Sequence, residues 1–189
     1  MYRLALFASG SGTNVQNICE YFSNSHSIKP EVVFSDRENA YVLQRATNLH
    51  LKSESFNYIN TSPEELIEKL IKHKITHIIL AGYLRLVPSK IIKLYEDKIL
   101  NIHPSLLPKF GGKGFYGDYV HKSVLESNEK ESGITIHLVN EKYDEGKVLF
   151  QKSIPISGDD NIDSLSSKIH NLEYKYYPQI IEKYLLNQL

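Results

Sequence analysis

Asn101 and His103 stand two residues apart in the stretch ILNIHPSLLPKF (99–110). On an extended chain that spacing sends both side chains to one face. An amide that can donate to a developing oxyanion thus lies beside an imidazole that can carry a proton. Pro104 ends the strand and Pro108 constrains the loop after it, which holds the pair rigidly. The same two residues also suit the capping of a strand end, and at this point both readings stand. Asp144, in NEKYDEG (140–146), adds a carboxylate. Near His103 it would favour the imidazolium and orient the ring; as an Asp ahead of Glu-Gly it is also ordinary turn chemistry.

A second constellation is ASGSGTN (8–14). It offers backbone N–H groups clear of bulky side chains, hydroxyls at Ser9, Ser11 and Thr13, and the positive end of the helix that follows, all of which suit a phosphate. Val15 occupies the place of the third glycine of a dinucleotide fingerprint, and no lysine follows as a P-loop needs. Glycine in a strand-to-helix turn also has purely steric uses, so phosphate binding and simple turn geometry remain alternatives. His137 alternates into ITIHLV and either faces the site or is a satisfied core histidine. His26, His50, His73 and His77 sit at element ends and read as surface groups, Glu173 as a solvated charge and Cys19 as a core thiol rather than a nucleophile. No His or Cys pair has metal-ligand spacing, so no metal site is expected.

The elements that must position these residues alternate. Residues 2–8 read as a strand covered on both faces, 31–35 as a strand, and the stripe Val15, Ile18, Cys19, Phe22 as an amphipathic helix. Helices follow over 40–49 and 62–73, the latter opened by Ser62 with Pro63 at its first position. A strand at 77–81, a short helix from Pro88 and a strand at 99–103 continue the pattern, which predicts an α/β doubly wound, mostly parallel sheet. Gly111–Gly117 reads as a mobile loop before a helix over 118–129. The runs 133–139 and 147–156 are joined too closely for a crossover and must pair antiparallel. A helical tail spans about 161–186, bent or divided at Pro178.

With 189 residues, 41% of them hydrophobic, one domain with a sizeable core is expected. Twenty-two basic residues balance 22 acidic ones, which excludes the broad positive field of a nucleic-acid-coating protein. A single Cys excludes an internal disulfide framework. The apolar run after Met1 is too short for a secretory signal or a membrane span, so a cytoplasmic protein is expected.

Four motifs, ASGSGTN, LAGYLRLV (80–87), LNIHPSLLPKF and YDEGKVLFQ (143–151), in this order and at these intervals, closely resemble the folate-dependent formyltransferases, in particular those of purine synthesis. The resemblance spans essentially the whole chain. It implies a seven-stranded mostly parallel sheet with one antiparallel strand, a single domain over 1–189 with a Rossmann-like phosphate-binding half (1–100) and a catalytic, folate-binding half (101–189). It also implies transfer of a formyl group from 10-formyltetrahydrofolate to the amine of glycinamide ribonucleotide, with no metal, by a monomer or homodimer. On this resemblance Asn101, His103 and Asp144 are the catalytic trio. Gly12, Thr13, Asn14, Gly82, Pro104, His170 and Glu173 contact the ribonucleotide; Leu84, Arg85, Leu86 and Val87, with Asn101, Val139, Asn140 and Asp144, surround the folate. FGGKGFYGDY (110–119) departs from the usual pattern in its length and glycine content, and Tyr119 stands where a second histidine beside His121 is usual. Another folate formyl enzyme, or a module that binds nucleotide or folate without turnover, are the alternative readings.

Overall fold

Apolar runs without alternation become strands buried along most of their length, as in Leu4–Phe7 and Glu31–Ser35. The computed structural model describes residues 1–189 and orders them as β1 (Tyr2–Phe7), α1 (Thr13–Tyr21), β2 (Ile28–Ser35), α2 (Tyr41–Asn48), β3 (Lys52–Ser55), α3 (Pro63–Lys72), β4 (His77–Leu80), α4 (Ser89–Leu94), β5 (Ile99–His103), α5 (Asp118–Glu126), β6 (Glu131–Leu138), β7 (Val148–Pro155) and α6 (Ile162–Leu185). The strands form one seven-stranded sheet in the order β3-β2-β1-β4-β5-β6-β7. β1 pairs in parallel with β2 and β4, and β2 with β3, whereas β7 runs antiparallel to β6. No helix is long and apolar enough to cross a membrane.

Two compact units divide the chain, Met1–Leu100 and Asn101–Leu189. In the first, Leu4, Leu6, Val15, Ile18, Val33, Phe34, Leu70 and Ile79 are fully buried, and Phe7 stacks on Phe34 with ring centroids 5.1 Å apart. α3 opens on a reciprocal box: Ser62 Oγ accepts from Glu65 N, and Glu65 Oε2 accepts from Ser62 N. The strand that sequence reasoning omits is β3. Its residues, KSES, are exposed except for half-buried Glu54 and carry no apolar period, as suits an edge strand that discourages further pairing.

In the second unit α6 continues unbroken through Pro178, correcting the expected division. Proline removes one backbone N–H, and the buried flank of Leu165, Ile169, Tyr177 and Ile181 holds the helix on either side of that loss. β6 lies so close to β7 at Gly133 that a Cβ there would collide with the Lys152 carbonyl and Leu106.

Two outcomes follow from these contacts. Gly133→Ala should destabilise the protein by about 1–3 kcal/mol through overpacking, whereas Ser132→Ala, which removes a buried hydroxyl without a partner, should be neutral or stabilising; equal losses in urea unfolding would refute the contrast. His77 packs edge-on against Tyr2, and burial, aided by Lys98, pushes its pKa from 6.5 down to about 4. The unfolded chain therefore binds the proton first, so unfolding free energy should fall as pH drops from about 6.5 to about 4, with a shallower fall in His77→Gln.

Candidate functional site

In the first unit the glycine loop joins β1 to α1. Gly12 caps α1 at φ 74°, and a Cβ there would strike Val42, so the steric use of this glycine is real. No side chain caps the helix at Gly12. α2 holds the loop from the side: Val42 N donates to Gly10 O, and Arg45 Nε donates to Ser11 O at 2.9 Å. Sequence reasoning passes over Arg45, because one basic residue on an exposed helix carries no signal of its target. Thr13 is half-buried and Asn14 buried at the start of α1.

Ser9 is not available to a ligand as expected. It is buried, donates its N–H to Gly82 O and accepts from Leu84 N through Oγ at 3.0 Å, so it ties the glycine loop to the loop after β4. Gly82 adopts φ 82° there. Beyond it Leu84 and Leu86 are half-buried, Val87 is buried, and Arg85 is exposed. Arg85 Nε donates to Asp36 Oδ2 at 3.1 Å, which holds the guanidinium pKa above its usual range.

In the second unit three predicted residues converge on one carboxylate. Asp144 takes φ 55° in the turn between β6 and β7. Its Oδ2 accepts from Gly112 N at 2.9 Å and lies 3.5 Å from His103 Nδ1; its Oδ1 lies 3.5 Å from Asn101 Nδ2. The turn closes through Asn140, whose Nδ2 donates to Glu145 O and whose Oδ1 accepts from Lys142 N. The side chain of Asn140 is thereby committed to the turn; Val139 before it is half-buried.

His103 Nε2 donates to Phe110 O at 2.7 Å. A carbonyl oxygen only accepts, so Nε2 carries hydrogen in the neutral and the charged ring alike. The segment that brings Phe110 there is laced to the hairpin: Leu107 N donates to Thr135 Oγ1, Thr135 Oγ1 donates to Ser105 O, and Gln151 Nε2 donates to Leu107 O. Pro104 is half-buried at its start.

His137, left open by the sequence, faces this cluster. It is buried, and its Nδ1 donates to Leu138 O at 2.8 Å. Nε2 lies between two partners, 3.0 Å from Asn101 Nδ2 and 3.6 Å from Asp144 Oδ1. Burial pushes the His103 pKa down, and the Asp144 charge only partly offsets it, so the expected net rise does not occur. Burial likewise pushes Asp144 up, yet the His137 bond, the His103 charge and the Gly112 N–H outweigh it and leave the carboxylate below its usual range.

Two single residues, Glu173 and His73, depart from expectation. Glu173 is buried rather than solvated, and its charge reinforces the burial that drives the Tyr177 pKa upward. His170 is exposed and stacks on Tyr174, one helical turn along. His121 is buried with its Nδ1 unpartnered, and burial followed by the His170 charge pushes its pKa down. His73 is buried rather than superficial, paired with Glu54 at 2.6 Å. Cys19 is half-buried, and burial with the charge of Glu20 pushes its thiol up to about 12, so it is no nucleophile at neutral pH.

Comparison with known proteins gives one consistent answer. Residues 2–181 match the formyl transferase family, described as Formyl transferase. The chain is 36% identical over 191 residues to phosphoribosylglycinamide formyltransferase of Bacillus subtilis, covering 98% of this chain and 95% of that protein. It is 37% identical over 187 residues to the chloroplastic phosphoribosylglycinamide formyltransferase of Vigna unguiculata, but spans only 60% of that protein's length, and 64% of its Arabidopsis thaliana counterpart. Among solved structures, phosphoribosylglycinamide formyltransferase of Streptococcus pneumoniae superposes with a TM-score of 0.88 at 35% identity, covering 98% of this chain and 99% of that one. The protein of that name from Bacillus halodurans gives 0.89 at 32%, over 97% and 95%.

The electrostatics predict a measurable shift. Asp144→Asn removes the charge that offsets burial of His103, so the His103 ring should titrate lower still in an NMR pH series. An unchanged titration would show that the carboxylate does not act on the ring.

Proposed function

The chain belongs to the formyl transferase family, and from that premise we propose that it moves the formyl group of 10-formyltetrahydrofolate to the amine of glycinamide ribonucleotide in purine synthesis. The observation that carries this reading is the convergence of Asn101 and His103 on Asp144, each within 3.5 Å of the carboxylate. Gly12, Thr13 and Asn14, at a helix start without a side-chain cap, are assigned to the phosphoribosyl end, together with Gly82, Pro104, His170 and Glu173. The half-buried, apolar Leu84 and Leu86 with buried Val87 suit the flat face of a pteridine, and Arg85, Val139 and Asn140 complete the assignment.

Formylfolate supplies the one-carbon unit, and the protein must stabilise the oxyanion that develops as the amine attacks. Asn101 Nδ2 and His103 Nε2 are the donors for it. His103 can serve in either charge state, since Nε2 keeps its hydrogen in both; reaching the formyl oxygen means exchanging the Phe110 carbonyl for it. As the new nitrogen–carbon bond forms and the folate nitrogen–carbon bond breaks, one proton must pass from the attacking nitrogen to the departing one. Ionised Asp144 favours positive charge on His103 and so assists that passage.

Purified protein given both substrates should yield formylated ribonucleotide, and no product would defeat the proposal. Asn101→Ala and His103→Ala should each lower kcat by about 100- to 1000-fold with smaller changes in ligand affinity. Variants that kept kcat while losing affinity would instead describe a binding module.

A further inference from the structure

The loop between β4 and α4 has no regular structure, yet three consecutive residues of it are each held by a different element of the first unit. Leu84 N donates to Ser9 Oγ, from the loop after β1. Arg85 Nε donates to Asp36 Oδ2, just after β2. Leu86 O accepts from Tyr58 Oη at 3.3 Å, from the segment after β3, and the Arg85 guanidinium lies 5.2 Å from the Tyr58 ring centroid.

Asp36 is the unusual member. Its side chain has no accessible surface, and its second oxygen, Oδ1, is buried without a hydrogen-bond partner, while the Arg85 side chain remains 48% exposed. A dehydrated carboxylate with half its acceptor capacity unused is a poor device for stability, because an uncharged side chain of the same shape avoids the desolvation cost. An ion pair open to water on one side adds little either. What the arrangement does provide is direction. The buried oxygen fixes the guanidinium, and the Tyr58 ring beneath it removes the remaining freedom, so the backbone between the Ser9 and Tyr58 anchors has one shape.

We propose that Asp36 and Tyr58 are positioning residues that, through Arg85 and the backbone of Leu86, set the shape of the 84–87 wall and thereby the affinity for the formyl donor. This rests on the assignment of that wall to the donor under the proposed function. Asp36→Asn keeps an acceptor of the same size and removes the buried charge. Steady-state kinetics should show KM for 10-formyltetrahydrofolate raised about three- to ten-fold, as for the loss of one modest hydrogen bond, with kcat and KM for the ribonucleotide nearly unchanged. Tm should hold or rise. Tyr58→Phe should have a smaller effect than Tyr58→Leu, which also removes the ring face. Asp36→Asn should add nothing to an Arg85→Gln variant, and the Arg85 Nε–H signal in NMR should move when Asp36 is replaced. Unchanged donor KM in Asp36→Asn and Tyr58→Leu would overturn the proposal, as would a fall of every kinetic parameter together with Tm. A wild-type protein that binds no formylfolate would overturn both this assignment and the proposed function; donor binding with an insensitive KM would overturn this one alone.

Discussion

Asp144 has to stay ionised where burial opposes it, and the second unit is organised around that requirement. Three neighbours meet the cost: the His137 ring, the His103 ring and the Gly112 N–H. Each is delivered by a different stretch of chain, β6, β5 and the glycine-rich segment. The backbone concession is also made here, since Asp144 adopts φ 55°, a conformation that asparagine and aspartate tolerate better than most residues.

His137 and Asn101 show how tautomers convey this order. Because the Leu138 carbonyl takes the proton of Nδ1, the opposite nitrogen of the ring is left to face Asn101 Nδ2 and Asp144 Oδ1. Polar contacts thus run from the β6 backbone through the His137 ring to the Asn101 amide. Ser9 performs a comparable service in the first unit, where one buried hydroxyl joins the glycine loop to the loop after β4.

Much of this was legible in the residues. Unalternating apolar runs marked the buried strands, Ser62-Pro63 marked a helix start, and the seven residues NEKYDEG were too few for a crossover, which made β7 antiparallel. Asn101 and His103 followed from period two. Asp144 stood out as a carboxylate in a turn, but its meeting with Asn101, 43 residues earlier, could not be read from spacing, and only the family resemblance joined it to the pair. Illegible features share one cause. β3 exists because β2 offers an edge, not because KSES prefers extension. His73 is buried because Glu54 receives it, and the fate of a polar side chain cannot be read without its distant partner. The net direction of the His103 pKa depended on how much water the fold excludes, which no local pattern records.

Gly146 brings no functional group to any of this, yet a Cβ at that position would run into the Leu138 carbonyl and crowd His137 Nδ1. Two residues earlier in the same turn sits Asp144. A substitution survey scored on activity alone would therefore rank Gly146 beside the residues proposed for catalysis, although it has no side chain to offer. In this fold, intolerance to mutation measures how closely a backbone must approach the site as much as it measures chemistry, and the two are separated only by asking whether the damaged protein still folds.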